Sequence, residues 1–217
     1  IKVLAGKYTR KFKIDGLKKL NKDLPSKIKS VQNYGKILYI ELDNSWNIIF
    51  TFGLVGYLRY DKNRINHDNV QFTLNQDFLF FNDFRNFGNI KIEKGSTNLS
   101  KKINQLGPDP FYFNITNKIF NIQINKFKDS TPLYQLLLEQ SFVAGIGNYL
   151  RADILYYAKL NPFRTISSLS EKEKIILCKS IKHIVNRSYK IQIDGKPIQE
   201  KHLIYKKDMD SNGNHIH

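Results

Sequence analysis

Gly145-Ile146-Gly147-Asn148 is the segment of this chain best suited to holding an anion. Glycines at 145 and 147 permit positive φ and let the backbone approach a ligand with no Cβ in the way. A helix starting near Asn148 leaves its first N–H groups unpaired, which suits a phosphate, and the Asn148 amide adds a donor. Asp83-Phe84-Arg85-Asn86-Phe87-Gly88 pairs a planar guanidinium with a wedge-shaped ring two residues on. Arg85 can hydrogen-bond a base edge and Phe87 can slide between stacked bases. Lys36 enters a strand after Gly35 and carries an ammonium there. Each has a plainer reading as a turn, a core ring or a solvated lysine.

These residues need elements to position them. An apolar helical pattern from Pro132 to Phe142 runs into the glycines, with Ser130 or Thr131 as its N-cap. A second runs from Tyr149 to Lys159 and stops before Asn161-Pro162. A third opens at Ser170, before Glu171 and Glu173, and continues to Asn186. Upstream, residues 1–115 read mainly as β. Runs 36–42 and 46–52 are β-branched and aromatic, and Asp43-Asn44-Ser45 between them is a hairpin signal. Short strands follow at 54–60, 69–74, 78–82 and 89–93. Such spacing predicts a sandwich or barrel rather than βαβ units. Leu106-Gly-Pro-Asp-Pro breaks regular structure, and helical periodicity begins at Asn117.

With 217 residues the chain can bury a sizeable core. Thirty-five Lys and Arg against 19 Asp and Glu give a net charge of +16, with a pI near 9.7. That balance favours a polyanion, and with no long apolar span the expected partner is nucleic acid rather than a membrane. A Lys/Asn/Ile-rich proteome accounts for some of the lysine, not for the excess over acids. One cysteine, Cys178, excludes an internal disulfide and a four-cysteine zinc site, and reads as a small buried hydrophobe. The histidines at 67, 183, 202, 215 and 217 show no metal spacing, so no metal or cofactor is expected. No signal peptide is visible, and an intracellular setting is expected.

The run Gly147-Asn148-Tyr149-Leu150-Arg151-Ala152-Asp153-Ile154-Leu155 resembles the helix–two-turns–helix of the formamidopyrimidine-DNA glycosylase/endonuclease VIII family, the endonuclease VIII branch above all. Tyr34-Gly35-Lys36-Ile37-Leu38 is similar to the family's R-G-K-x-L, and Phe52-Gly53-Leu54-Val55-Gly56 to its L-G-M-[ST]-G. Asp83–Gly88 is similar to D-x-R-x-F-G, and Leu106-Gly-Pro-Asp-Pro to L-G-P-[ED]-P. The signatures keep the family's order along nearly the whole chain.

The resemblance implies an α+β protein: a β-sandwich domain over 1–115, a helical domain over 116–217, and a DNA cleft between them. A C-terminal finger would begin near 204. It further implies a DNA glycosylase with AP lyase activity. Such an enzyme removes oxidised bases, pyrimidines favoured, and cleaves the abasic site by β/δ-elimination through a Schiff base. Lys36 would touch the lesion's phosphate and aid elimination. Leu54, Arg85 and Phe87 would fill the space left by the flipped base, and Gly145, Gly147 and Asn148 would hold the backbone. Asp153, where the family carries Glu, would sit near the amino terminus as a catalytic group. Expected partners are duplex DNA with an oxidised base or abasic site, and also single-stranded DNA, bound by a monomer.

There are departures. The family's nucleophile is an N-terminal Pro followed by Glu, whereas this sequence opens Ile1-Lys2-Val3-Leu4. A Pro-Glu leader ahead of Ile1 is expected; loss of catalysis, leaving a damaged-DNA-binding protein, is the alternative. Thr51 stands where many relatives carry His or Arg, which weakens one phosphate contact. Ile204–Lys207 and Asn212–Asn214 resemble the entry to the finger, with no zinc expected unless ligands follow His217. An RNA-binding protein is a third reading, which Asp83–Gly88 disfavours.

Overall fold

The computed structural model describes residues 2–8, 14, 16–195, 202–210, 213 and 215. Ile1, Asn212, Asn214 and His217, which figure in the expectations above, lie outside these. The chain divides into two compact units, Ile1–Ile103 and Asn104–His217.

Unit 1 contains β1 (Lys2–Tyr8), α1 (Leu17–Lys22), β2 (Ser26–Tyr34), β3 (Ile37–Leu42), β4 (Trp46–Thr51), β5 (Tyr57–Asp61), β6 (Asp68–Leu74), β7 (Phe78–Asn82) and β8 (Asn89–Lys94). All pairings are antiparallel, in the order β5-β7-β6-β1-β2-β3-β4-β8. Only Lys2↔Lys27 and Val3↔Ser26 join β1 to β2, so this short seam links two four-stranded leaves. Val70, Phe72 and Phe81 of one leaf share a core with Ile40, Ile48, Phe50 and Ile90 of the other, and Leu17 and Leu20 of α1 close it. That is the expected sandwich.

The Asp43–Ser45 hairpin forms as expected, with Ser45 at φ 67 and its N–H on Leu42 O at 3.1 Å. Two strand limits shift. Lys36 stands in the turn before β3, and Leu54 lies in a loop before β5. Gly53 at φ 61 turns the chain there, and the Gly56 N–H reaches Phe52 O at 2.9 Å, so 52–56 is a closed turn.

Unit 2 follows α2 (Thr97–Asn104) with α3 (Asn117–Ile124), α4 (Leu133–Leu136), α5 (Asn148–Ala158) and α6 (Glu171–Ile193). Ser170 caps α6 in a reciprocal box with Glu173, as the sequence predicts, and the helix runs a further two turns past Asn186. The helix expected over 132–142 is a single turn. Pro132 itself occupies the N-cap position, and beyond Leu136 the chain tightens into turns. Phe142 N–H bonds Glu139 O, and Ala144 N–H bonds Pro108 O at 3.1 Å instead of continuing a helix. Phe120, Leu133, Phe142, Ile146, Ile154, Leu177 and Ile181 form this unit's own core. Cys178 is buried there, its thiol 3.4 Å from Ile115 O, and burial pushes its pKa up.

Candidate nucleic-acid interface

Unit 1 gathers its three predicted loops at one end of the sandwich. Lys36, Ile37, Thr51, Phe52 and Gly53 line a cavity of about 390 Å3. Lys36 reaches solvent, yet the atoms crowding its ammonium desolvate it and push its pKa below the ordinary lysine value. Leu54 stands 68 % exposed at the tip of the next turn. Gly53 packs so closely on the third loop that a Cβ would fall 2.8 Å from the Phe87 carbonyl carbon. The Leu54 turn and the Phe87 loop therefore interlock.

The 83–88 loop is built around a buried carboxylate. Asp83 accepts the Arg85 N–H at 3.1 Å and the Gly88 N–H at 2.6 Å. Asn69 crosses from β6 to bond Asp83 O at 2.6 Å and Asn86 Oδ1 at 2.9 Å, holding Asn86 at φ 56. Beneath it, Asp68 binds Arg59 at 2.6 Å and Asn82 and the Ile65 N–H at 2.8 Å. Burial pushes the Asp68 carboxyl up, but these hydrogen bonds outweigh it and hold the pKa below the ordinary value. The frame leaves Arg85 and Phe87 in solvent, with the guanidinium 5.2 Å from the Phe87 ring centre and the ring 60 % exposed. Asp83 is visible in the sequence motif; Asn69 and Asp68 carry no signal that sets them apart from ordinary strand residues.

In unit 2, Gly145 takes φ 91, as a turn glycine must, whereas Gly147 is extended at φ −118 and owes nothing to positive φ. Its role is room. Gly147 is the N-cap of α5 and no side chain caps it, so the N–H groups of the first turn stay open beside exposed Asn148. Gln140 organises the turn, a role sequence reasoning missed. Its Oε1 accepts the Gly145 N–H at 3.1 Å, while Nε2 donates to Leu138 O at 2.9 Å and Ile146 O at 3.0 Å.

Asp153, one turn further along α5, is buried. Its carboxylate accepts the N–H groups of Leu203 at 2.9 Å and Ile204 at 3.0 Å, with Tyr205 at 3.4 Å and His202 Nδ1 3.9 Å away. A short Asp reaches these only because α5 and the 202–205 segment lie close. The task seen is to anchor that segment. Among the described residues no helix is long and apolar enough to cross a membrane.

A sandwich of two antiparallel leaves with exposed apolar and cationic loop tips, followed by a helical unit with an open, glycine-framed helix start, places the chain among α+β proteins. The formamidopyrimidine-DNA glycosylase N-terminal domain model matches residues 3–90, and the H2TH domain model matches residues 106–201. The chain belongs to the formamidopyrimidine-DNA glycosylase family. It is 34 % identical over 187 residues to formamidopyrimidine-DNA glycosylase of Enterobacter sp. (strain 638), aligning 77 % of this chain and 66 % of that protein. With the Arabidopsis thaliana protein of that name, identity is 28 % over 183 residues, 76 % of this chain and 46 % of the relative. The chain thus spans about half to two thirds of these relatives' length. The solved structure of the Lactococcus lactis enzyme on AP-site DNA superposes with TM-score 0.87 at 25 % identity, covering 99 % of this chain and 85 % of that one. The structure of the same enzyme with DNA containing an oxidised pyrimidine gives the same values.

Proposed function

We propose that the protein is a base-excision DNA glycosylase that removes oxidised bases, pyrimidines favoured, and cleaves the abasic strand as an AP lyase. The observation that carries this is the interlocked loop end of the sandwich. Leu54, Arg85 and Phe87 are held in solvent by a rigid frame, as void-fillers for a flipped base must be. Arg85 would pair with the orphan base, and Phe87 and Leu54 would wedge into the stack. The Lys36 ammonium, partly desolvated, would neutralise a phosphate beside the lesion and aid elimination. Gly145, Gly147 and Asn148 would take a second backbone phosphate on the open N–H groups of α5. Asp153 would support the reaction by holding residues 203–205, so that the segment after α6 enters the site in a fixed position. The partner is duplex DNA with an oxidised or missing base.

Strand cleavage requires an amine that attacks the sugar C1′, forms a Schiff base and so acidifies the 2′ proton. The test supplies one. The chain carrying Pro-Glu ahead of Ile1, incubated with abasic duplex and borohydride, should give a covalent adduct. The chain without it should bind the same duplex and give far less adduct. Binding without trapping in the Pro-Glu form would leave a damaged-DNA-binding protein; failure to bind abasic duplex at all would remove the nucleic-acid reading.

A further inference from the structure

Asp109 is buried and starts a single tight turn. Its Oδ1 accepts the Phe111 N–H at 2.9 Å, and its main-chain oxygen accepts those of Tyr112 and Phe113 at 3.2 and 2.9 Å. The turn holds out three consecutive rings, Phe111, Tyr112 and Phe113, which are 41 %, 52 % and 50 % exposed. Phe111 sets its edge against Tyr189 of α6, centroids 4.3 Å apart, and against Tyr112 at 5.1 Å. Asn114 accepts the Lys182 ammonium at 2.6 Å. Lys182, Asn186, Tyr189 and Ile193 recur at helical spacing, so one exposed face of α6 continues the patch, with Lys190 beside it. No carboxylate pairs with Lys182 or Lys190 among the described residues. The same stretch adjoins the phosphate-binding turn: Gly107 N–H bonds Gln140 O at 2.8 Å and Pro108 O accepts the Ala144 N–H at 3.1 Å.

A contiguous aromatic patch held rigidly in water marks an interaction site. Its chemistry selects the partner. Rings edged by Lys182 and Lys190, with which no carboxylate forms an ion pair among the described residues, suit flat π-faces on a polyanion. Bases within duplex are already stacked on one another, so only unpaired bases can use these rings. We propose that Phe111, Tyr112 and Phe113, with Tyr189 and Lys182, form a stacking platform for single-stranded DNA next to the Gly145–Asn148 turn. The proposal rests on the DNA-glycosylase reading and adds a second mode of contact to it.

Fluorescence anisotropy with labelled oligothymidylate and, separately, abasic duplex tests it. Tyr112→Leu combined with Phe113→Leu keeps apolar area but removes the π-faces. This variant should bind oligothymidylate about tenfold more weakly or worse, with duplex affinity unchanged within about twofold. Tyr112→Trp should restore or strengthen single-strand binding. If the Leu pair binds oligothymidylate like the parent, the rings serve another partner, such as an apolar protein surface, and the platform falls. A parent that binds abasic duplex but not oligothymidylate overturns this inference alone. A parent that binds neither overturns the glycosylase reading as well.

Discussion

Asp83→Asn isolates the contribution of one carboxylate to the loop over residues 83–88, proposed to fill the void left by a flipped base. In the parent, two separate oxygens meet two main-chain N–H groups, Arg85 at 3.1 Å and Gly88 at 2.6 Å. A hydrogen bond to a charged group contributes about 1.5–3 kcal/mol, and a neutral one about 0.5–1.5 kcal/mol. Asparagine has the same shape but one oxygen. One bond becomes neutral, and the other becomes an amide N–H facing an N–H in a buried place. The loss should come to about 2–4 kcal/mol. For a unit the size of Ile1–Ile103 that is a fall in melting temperature of about 10 °C or more. Where the loop gives way before the sandwich does, the deficit appears as disorder of Arg85 and Phe87. Re-ordering those two side chains on DNA costs about 2 kcal/mol, or roughly thirtyfold in duplex affinity. Urea unfolding and anisotropy on abasic duplex read the two effects together. If the variant keeps stability within about 0.5 kcal/mol and affinity within about twofold, the loop does not depend on this carboxylate.

Four further outcomes follow from the same geometry. Gly53→Ala combines strain at φ 61 with a Cβ 2.8 Å from the Phe87 carbonyl carbon, so it should cost about 2 kcal/mol or more in urea unfolding and weaken duplex binding. An unaffected variant would mean the two loops are not interlocked. Glu173 is held at about 2, below its ordinary 4.5, by Arg164 at 2.5 Å and by the Ser170 cap. A lowered pKa stabilises the fold above pH 4.5 and loses that contribution as pH falls towards 2, so acid unfolding curves of parent and Glu173→Gln should converge over that window. Curves that stay parallel would remove this ion pair from the acid response. Asn148→Ala should lower the magnitude of the log–log salt slope on abasic duplex by about one, without changing lesion preference. In the Pro-Glu form, Arg85→Ala and Phe87→Ala should impair excision from duplex about tenfold or more while sparing single-stranded substrate, which has no orphan base or stack to refill. Equal losses on both substrates would end the void-filling assignment.

The sandwich was legible because its strands carry their own signal. Trp46–Thr51 is rich in β-branched and aromatic residues, and Asp43-Asn44-Ser45 is turn chemistry, so pairing β3 with β4 needs nothing distant. The limits at 36 and 54 misled for the opposite reason. Lys36 and Leu54 look like strand residues, but Gly35 and Gly53 at positive φ move them into turns. The 132–142 segment has the apolar content of a helix. Beyond Leu136 its N–H groups bond three residues back, as in Leu138 to Gln135 O and Glu139 to Leu136 O, and just past it the Ala144 N–H turns to Pro108 O, a partner far away in sequence. Local pattern reports burial well and hydrogen-bond partner poorly.

The site divides along the same line. The residues proposed to meet DNA, Lys36, Leu54, Arg85, Phe87 and Asn148, were found through family signatures whose order along the chain the sequence keeps. Two residues that hold them were not. Asn69 and Gln140 are neutral amides in strand or turn sequence, and nothing local predicts that one would bridge Asp83 to Asn86 and the other close the Gly145 turn. Asp153 shows the converse. The family motif marks it as functional, yet its oxygens are already engaged by the N–H groups of Leu203 and Ile204. It is well suited to fix a chain segment. Its shorter reach than Glu, by one methylene, requires α5 and residues 203–205 to sit closer together. Asp153→Glu should therefore push the segment outward, while Asp153→Asn should loosen it without moving it.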